Sequence, residues 1–406
     1  MKCVLMNKNT PVALVEYNTT LHGIEKVYDT YNIEYAPLSV YTASKNPAGK
    51  IATAMNKWFH GRGIPSWRKD LEGLLERLNV TTTEELLNKA YGLSLSDQYW
   101  IKEENSSIRW DDVNFFTNGF KYQGYLAASL DSSQGSIDPA ELCSPNNTTD
   151  GMLQKGWIIE DGQRVLVKGT YTINGEEPFN EWLASQICKR LGIDFCNYSV
   201  DVLEDKLISK CNDFISEDEE IITAYDVFCS EKQPNHLSDY DFYIGTLEKH
   251  GIPDARKSVA NMFFVDSLMM NTDRHLKNFG VIRNVNSLEW LRTTPVFDCG
   301  QSMRCDQITE NLNFQYGIGK FFKTAAKGFD RILETIYPDV SIADLSNLDG
   351  LVSEYKNLLL EYQSITKMPD RRIDALTDGL TTRIDFVERC MKDQIFEYRQ
   401  PDDLER

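Results

Sequence analysis

The chain has 406 residues, of which 41% are hydrophobic and 26% are charged, an ordinary composition for a globular protein. It is long enough for two or three domains with a large buried core. Its net charge of −18 argues against non-specific binding to nucleic acid, because a phosphate backbone attracts a basic face.

The cysteines and the apolar runs indicate a cytoplasmic protein. The nine cysteines are scattered and include no Cys-x-x-Cys pair, so we expect reduced thiols rather than disulfides or a zinc site. Cys299 and Cys305 are interpreted as packing residues. No apolar run approaches the roughly 20 residues that span a bilayer, and the first residues do not resemble a signal peptide. We therefore expect no membrane association.

The N-terminal region predicts a hairpin followed by short helices. Apolar residues flank a turn within 1–17, and helices are expected over 51–60 and 70–78. The segments 93–101 and 110–120 are unusually rich in apolar and aromatic residues. We interpret both as docking segments that pack under a neighbouring lobe.

A long loop and a second hairpin come next. Residues 131–150 are rich in Ser, Asp, Pro and Asn, which is typical of a loop. Two apolar runs, 157–159 and 165–168, flank Glu160-Asp161-Gly162 and predict a hairpin. Lys168 ends its second strand, at the position where protein kinases carry the lysine that contacts nucleotide phosphates.

A helix is expected from about Pro178 to Leu191, closed by Gly192. Glu181 is the candidate carboxylate to pair with Lys168, as in the kinase helix, and Glu177 is the competing choice. Either one could instead be a carboxylate favoured at a helix N-terminus.

A third hairpin is expected over 198–211, followed by a hinge into a second lobe. Asn212 and Phe214 are the candidate nucleotide-binding residues of this hinge. The acidic run 217–220 is interpreted as a solvated patch, and residues 221–270 as mostly helical.

The polar stretch 271–280 carries the main chemical signal. It follows an apolar helix pattern and precedes a short strand, Phe279 to Ile282. A second apolar pair, Val296-Phe297, leads into Asp298. Asp273 lies five residues before Asn278, the offset between the catalytic Asp and the metal-binding Asn of protein kinases, and Asp298 takes the place of the Asp in their Asp-Phe-Gly motif.

This spacing suits phosphoryl transfer, which depends on positioning and charge neutralisation. Asp273 is the candidate base for an incoming hydroxyl. Asn278 and Asp298 offer the hard oxygen ligands that Mg²⁺ prefers. His275 is interpreted as a hydrogen-bonding residue that braces the loop beside the nucleotide. Downstream, 302–320 resembles an activation or substrate loop, and 339–400 reads as mainly helical.

The chain resembles the HipA-like serine/threonine kinases of bacterial toxin–antitoxin systems. The resemblance covers roughly 115–400. It rests on Asn271-x-Asp273-x-His275-x-x-Asn278-x-Gly280, on Pro295-Val296-Phe297-Asp298 and on Val167-Lys168-Gly169. The loop 144–152 and the helix start 177–181 also fit.

The resemblance implies an α+β, two-lobed protein-kinase-like fold, with a mixed N-terminal lobe and a mainly helical C-terminal lobe. We expect an N-lobe subdomain over 1–114, a nucleotide-binding core over 115–211 and a C-lobe over 212–406. ATP and Mg²⁺ are the implied cofactors. Lys168 would contact the phosphates, Asp273 would be the base, and Asn278 and Asp298 would hold the metal.

The resemblance also implies a protein substrate, commonly an aminoacyl-tRNA synthetase or another translation component, and a separate DNA-binding antitoxin. The loop 144–152 would cover the triphosphate, and family members often inactivate themselves by phosphorylating a serine in this loop. The candidate loop residues are Ser144, Thr148, Thr149 and Gly151. Two departures stand out: the loop has one glycine, and Cys299 replaces the Phe of Asp-Phe-Gly.

Two other functions fit the same spacing. Small-molecule kinases of the aminoglycoside or lipid type share the Asp-to-Asn offset. A nucleotide-binding pseudokinase scaffold would explain the glycine-poor loop, although the presence of Lys168, Asp273, Asn278 and Asp298 together argues against it.

Overall fold

A computed structural model of the chain describes residues 1–46, 50–68, 70–130 and 139–398. Part of the loop predicted over 131–150, residues 131–138, lies outside this description. The strands, in chain order, are β1 (Lys2–Asn7), β2 (Thr10–Asn18), β3 (Gly23–Thr30), β4 (Tyr99–Glu103), β5 (Lys155–Glu160), β6 (Gln163–Lys168), β7 (Tyr198–Leu203), β8 (Lys206–Asn212), β9 (Glu219–Thr223), β10 (Gly280–Asn284), β11 (Trp290–Thr293), β12 (Ile318–Phe321) and β13 (Thr324–Gly328).

The α-helices are mostly short in the N-terminal part and longer towards the C-terminus. They are α1 (Leu38–Lys45), α2 (Ile51–His60), α3 (Leu71–Arg77), α4 (Thr83–Lys89), α5 (Trp110–Val113), α6 (Gln123–Leu130), α7 (Glu177–Leu191), α8 (Ala224–Ser230), α9 (Asp239–Lys249), α10 (Ala255–Met269), α11 (Phe329–Ile336), α12 (Leu351–Glu361), α13 (Gln363–Thr366) and α14 (Asp370–Tyr398). Within the described ranges, no helix has the length and apolar character needed to cross a bilayer.

The chain divides into two compact units. The first, called the N-terminal unit, comprises residues 1–171, 211–232 and 281–291. The second, called the helical unit, comprises residues 172–210, 233–280 and the chain from 292 onward. The division of the sequence at 114 and 211 stays a prediction.

The N-terminal unit is built on an antiparallel sheet in the order β3-β2-β1-β4. Alternate residues of a strand point to opposite faces, and β1 is apolar on both. Cys3 and Leu5 pack with Met55 and Phe59 of α2. Val4 and Met6 pack on the other face with an aromatic group that includes Trp100, Trp110 and Phe115. Both faces of this sheet are therefore buried.

This second core corrects the interpretation of 93–101 and 110–120 as docking segments for a neighbouring lobe. Both pack on the sheet of their own unit. Tyr99 to Glu103 form edge strand β4, with Ile101 opposite Leu5. The aromatic residues that looked unusual for a loop belong to the buried strand β4 and to the segment that packs on the same sheet.

The acidic run 217–220 is solvated only in part, because its last residue is buried. Glu220 is 3% exposed, because β9 begins at Glu219 and turns this side chain inward. Its carboxylate lies 2.7 Å from the Arg283 guanidinium, which also donates to the hydroxyl of Tyr99. Asp218, at the half-exposed start of the strand, pairs with Lys8 at 2.5 Å.

The helical unit is organised around α10, which is buried along most of its length and packs against α9, α11 and α14. An aromatic cluster joins Phe263 of α10 to Phe279, Phe321 and Phe322, with ring centroids 4.7–5.8 Å apart from that of Phe263. The helices predicted beyond 339 are present as α12, α13 and α14.

The stretch 302–320 is less irregular than expected. Its last residues begin the β12–β13 hairpin, which sequence patterns missed. The predicted strand at Val296-Phe297 reduces to an isolated bridge between Val296 and Phe195. The two cysteines interpreted as packing residues, Cys299 and Cys305, are both 1% exposed. All nine cysteines are reduced thiols rather than disulfide partners.

Candidate active site

The loop that contains Asp273 is closed by its own hydrogen bonds. Helix α10 stops where Met270 adopts a left-handed conformation with φ of 55°. Oδ1 of Asn271 then accepts from the amide of Asp273 at 3.0 Å. The carbonyl of Asp273 accepts from the amide of His275 at 2.7 Å and from Nδ2 of Asn278 at 3.1 Å. The five-residue offset between Asp273 and Asn278 is thus one compact turn.

Arg274 is the centre of the site. Its side chain is fully buried and makes two bonds to Asp266 of α10, at 2.8 and 2.9 Å. Nη1 donates to the carbonyls of Asn278 and Phe297, at 2.7 and 2.5 Å. One guanidinium therefore ties the loop that ends at Asn278 to the segment that ends at Asp298. Although burial opposes the charge, the adjacent Asp266 carboxylate holds the pKa of Arg274 well above its usual range.

Two side chains of α7 stabilise the turn at Asp298 by hydrogen bonds to its backbone. Asp298 has φ of 57°, which is unusual for a residue with a side chain. Oε2 of Glu181 accepts from the amide of Cys299 at 2.9 Å. Nδ2 of Asn180 donates to the carbonyls of Gly300 and Ser302, at 2.8 and 2.9 Å. Glu181 therefore contributes to the shape of this turn, and its pairing with Lys168 stays a prediction.

The donor atoms in this region fit Mg²⁺. Because Nδ2 of Asn278 is used by the Asp273 carbonyl, Oδ1 remains as the oxygen that a metal can take. Asp298 adds a carboxylate. Among the described residues, no group of three or more His, Cys, Asp and Glu side chains is arranged to hold a metal ion. A metal here would thus rely on few protein donors, with phosphate and water completing its shell, as Mg²⁺ does.

His275 lies at the edge of the loop. Its Nδ1 accepts from the amide of Lys277 at 3.2 Å, and its Nε2 lies 4.0 Å from Oδ2 of Asp273. The first contact is a hydrogen bond within the loop, so His275 helps to stabilise the conformation of the loop.

In the N-terminal unit, the loop 144–151 is packed inward. Ser144 is fully buried and Thr149 is 4% exposed. The hydroxyl of Ser144 accepts from the amide of Asn146, and that of Thr148 donates to the carbonyls of Leu93 and Pro145. The hydroxyl of Thr149 donates to the carbonyl of Asn146, so all three hydroxyls have protein partners.

Arg68 fastens the end of this loop. Its guanidinium donates to Oγ1 of Thr149 at 2.8 Å, to the carbonyl of Thr149, and to the carbonyl of Gly151 at 3.1 Å. Burial lowers the pKa of Arg68 to about 10. Gly151 has φ of 96°, a conformation that L side chains rarely adopt.

Two buried lysines face each other beside the loop. Lys155 and Lys168 are directly opposite in the β5–β6 hairpin, and opposite residues point to the same face. They are 8% and 3% exposed. A Cβ at Gly151 would lie 3.0 Å from Nζ of Lys155. Two ammonium groups on one face, next to a loop of backbone amides, favour a bound anion such as phosphate.

The hinge candidates follow β8. Asn212 is exposed and Phe214 is half-buried. Between them, the amide of Asp213 donates to the carbonyl of Arg164 at 2.8 Å, which ties the segment to β6. Burial raises the pKa of the Asp213 carboxyl to about 7, despite hydrogen bonds from the amides of Ile215 and Phe214.

Sequence patterns did not single out Arg274 or Lys155. Arg274 lies inside the recognised motif, but its partner Asp266 is eight residues upstream, in the middle of an apolar helix. Lys155 pairs with Lys168 across the hairpin that turns at Asp161-Gly162. Counting residues outward from that turn in both directions would have identified Lys155.

Residues 148–336 match the profile of the HipA-like C-terminal domain. This part of the chain is similar to that domain family. The curated serine/threonine-protein kinase CtkA of Helicobacter pylori strain J99 is 28% identical over 151 residues, which are 33% of this chain and 45% of CtkA. The match thus spans less than half of the length of that relative.

Two solved structures are also similar. One is HipA of Shewanella oneidensis MR-1, from a toxin–antitoxin complex of HipA, HipB and operator DNA, with a TM-score of 0.53 and 12% identity over 97% of this chain and 99% of that one. The other is the H. pylori proinflammatory kinase CtkA, with a TM-score of 0.47 and 18% identity over 61% of this chain and 93% of that one. The predicted HipA-like resemblance and the α+β kinase-like fold class are confirmed.

Proposed function

We propose that this HipA-like protein is an ATP- and Mg²⁺-dependent kinase that phosphorylates serine or threonine hydroxyls of a protein. The observation that supports it most is the buried Arg274, which fixes the Asp273–Asn278 turn and the Asp298 turn with one side chain. Such a shared anchor suits a reaction that depends on positioning.

In this proposal Asp273 orients the substrate hydroxyl and receives its proton. Asn278 and Asp298 would hold Mg²⁺, which supplies neutralisation of phosphate charge when bound. In the N-terminal unit, Lys155 and Lys168 would bind phosphate oxygens, and amides of the loop that contains Gly151 would add hydrogen bonds. Asn212 and Phe214 would contact the base or ribose of the nucleotide.

The proposal is tested by incubating the chain with Mg²⁺ and γ-labelled ATP, with dephosphorylated casein as an added acceptor. We expect label on protein with the wild type and none with Asp273→Ala or Asp298→Ala. Glu361→Ala, which removes an exposed carboxylate at the end of α12, is the matched control and should keep the activity. Turnover with aminoglycosides or lipids but not with protein would favour a small-molecule kinase. ATP binding without any turnover would favour the pseudokinase scaffold.

We also propose a phosphorylation switch in the loop 144–151. A phosphate on Ser144, Thr148 or Thr149 could not be accommodated in the packed loop, because each hydroxyl lies against protein atoms. Modification would therefore hold the loop out of its packed position and lower nucleotide binding. Mass spectrometry after long incubation with ATP should find phosphate on this loop, and an unmodified loop in active protein would contradict the switch.

Action as a toxin is the third part of the proposal. The neighbour HipA is solved together with HipB and operator DNA, which supports a separate DNA-binding antitoxin for this acidic chain. A translation component, such as an aminoacyl-tRNA synthetase, is the proposed substrate. Expression in a bacterial host should arrest growth and add phosphate to such a protein, whereas Asp273→Ala should do neither. Equal growth with both proteins would contradict this part.

A further inference from the structure

The β12–β13 hairpin lies directly against the residues that precede Asp273. A Cβ at Gly319 would lie 2.9 Å from the carbonyl oxygen of Asn271 and 2.7 Å from the ring of Phe329. A Cβ at Gly317 would collide with the side chain of Met270. Glycine at 319 thus permits a close approach to the Asn271 backbone that a larger residue would prevent, whereas at 317 the flexible end of Met270 would have to move.

The hairpin is anchored on its other side by aromatic residues. Phe321 and Phe322 pack on Phe263, with ring centroids 4.7 and 5.1 Å away. Phe322 also lies 5.7 Å from Phe279, the residue that follows Asn278. The backbone at Lys320, between Gly319 and Phe321, is therefore fixed relative to the Asp273 turn.

From this position Lys320 reaches Asp273. Its Nζ lies 2.5 Å from Oδ1 of Asp273, and the two side chains are 36% and 39% exposed. An ion pair with that exposure contributes little to stability, because both side chains are largely screened by water. The contact therefore matters less for stability than for the orientation of the carboxylate, since it occupies one oxygen and leaves Oδ2 on the other side.

We propose that Lys320 is a positioning residue for phosphoryl transfer, an inference that rests on the proposed kinase function. The ammonium group holds Oδ1 of Asp273, so that Oδ2 meets the substrate hydroxyl. In the transfer step, the hydroxyl oxygen bonds to the γ-phosphorus, the bond from that phosphorus to the ADP oxygen breaks, and the hydroxyl proton passes to Asp273. Lys320 keeps its proton throughout and acts only through the carboxylate.

The hairpin supplies a matched control. Lys323 is three residues further on, in the turn between the strands, and its Nζ contacts Gln233 at 2.5 Å and Asp239 at 3.5 Å. Lys323→Met therefore removes a similar charge and a similar surface contact from the same hairpin. It leaves Asp273 untouched.

The experiment compares initial rates of γ-phosphoryl transfer to casein for wild type, Lys320→Met, Lys320→Arg and Lys323→Met, over a range of ATP concentrations. We expect Lys320→Met to lower kcat about 10- to 100-fold, the size of effect that misplacing a catalytic group produces. The KM for ATP and the melting temperature should stay near those of wild type. Lys320→Arg should recover part of kcat, and Lys323→Met should match wild type.

Three results would overturn the inference. Lys320→Met could have the same kcat as Lys323→Met, which would show that the contact has no role in transfer. It could also have a higher kcat than wild type, which would make the contact inhibitory. It could also lose activity only in proportion to a lower melting temperature, which would make the contact structural. An inactive wild type would instead contradict the proposed kinase function, and the role of Lys320 with it.

Discussion

At the scale of single residues, the site depends on the buried pair of Arg274 and Asp266. Two hydrogen bonds in a fork geometry neutralise the guanidinium, and its remaining donors reach two carbonyls and the thiol of Cys299, at 3.0 Å. Lysine could not reproduce this set, because its ammonium group is a compact point charge. The pair is therefore specific in geometry as well as in charge.

Asp266→Asn should destabilise the helical unit strongly, because it leaves the Arg274 guanidinium buried without a counterion. We expect a loss of about 3–5 kcal/mol, measured by urea unfolding followed by circular dichroism, together with loss of phosphoryl transfer. Arg331→Ala removes an exposed pair with Glu334 and should leave the urea midpoint close to that of wild type, because exposed ion pairs contribute little to stability. Unfolding of Asp266→Asn at the wild-type urea concentration would show that Arg274 does not need its partner.

Asp213 predicts a pH dependence of stability. Burial raises the pKa of its carboxyl to about 7, and Oδ2 has no hydrogen-bond partner among the described residues. The unfolded chain would release this proton near the ordinary value of about 3.9. Between these values the folded state binds more protons, so stability falls as the pH rises from about 4 to about 7.

Asp213→Asn should remove this contribution, because an amide has no proton to release in that range. Melting temperatures measured from pH 5 to pH 8 should fall for the wild type and fall less for the variant. Asp111→Asn, at an exposed carboxylate, should follow the wild type. The same slope for Asp213→Asn as for wild type would assign the pH dependence to other groups.

At the scale of elements, the loop 144–151 has one glycine and is held in shape mainly by side chains. Gly151 alone takes the positive φ, while Arg68, Asn146 and Asn147 hold the rest of the loop through hydrogen bonds. The loop is thus shaped by side-chain anchors rather than by backbone freedom.

Gly151→Ala should raise the KM for ATP by several-fold, because the new Cβ would approach Lys155 and the backbone would be strained by about 1–2 kcal/mol. Gly162→Ala is the matched control: it also has a positive φ, 78°, but no atom lies within 4 Å of its Cβ position. It should lower stability and leave the KM unchanged. Equal KM values for the two variants would contradict a role for Gly151 in nucleotide binding.

Local patterns predicted the elements that local interactions determine. Helix α7 begins at Glu177 and ends before Gly192, whose φ of 67° closes it, as its Pro and Gly positions indicated. The β5–β6 hairpin follows its turn residues. Strands β4 and β9 were missed because their partners are distant in sequence. Strand β12 pairs with the adjacent β13 and was missed because its side chains are not in regular alternation.

The same limit applies to the site. The spacing of Asp273, Asn278 and Asp298 made them candidate site residues, which stays a prediction, and the structure shows that this spacing reflects a loop and a turn. Spacing did not identify Arg274 as their common anchor, Lys155 as the neighbour of Lys168, or Lys320 as the partner of Asp273. The contacts of Arg274 and Lys320 join segments that only the folded chain brings together, whereas the pairing of Lys155 with Lys168 follows from the register of a local hairpin.

At the scale of the whole molecule, the proposed roles of the residues require that a variant can bind nucleotide and yet fail to transfer phosphate. Lys155, Lys168, Asn278 and Asp298 are assigned to binding, and Asp273 to transfer. A ligand that binds only the folded chain raises its stability, by about 2.7 kcal/mol at a concentration 100 times its Kd. Melting temperature therefore reports binding independently of turnover.

The most direct test is the ATP-dependent rise in melting temperature, with and without Mg²⁺, for wild type, Asp273→Ala and Asp298→Ala. We expect Mg²⁺ to increase the ATP-dependent rise in melting temperature for wild type and for Asp273→Ala. For Asp298→Ala, we expect Mg²⁺ to have no such effect. Asp273→Ala should bind nucleotide and yet transfer no phosphate. Absence of any nucleotide effect on the wild type would contradict the assignment of this site.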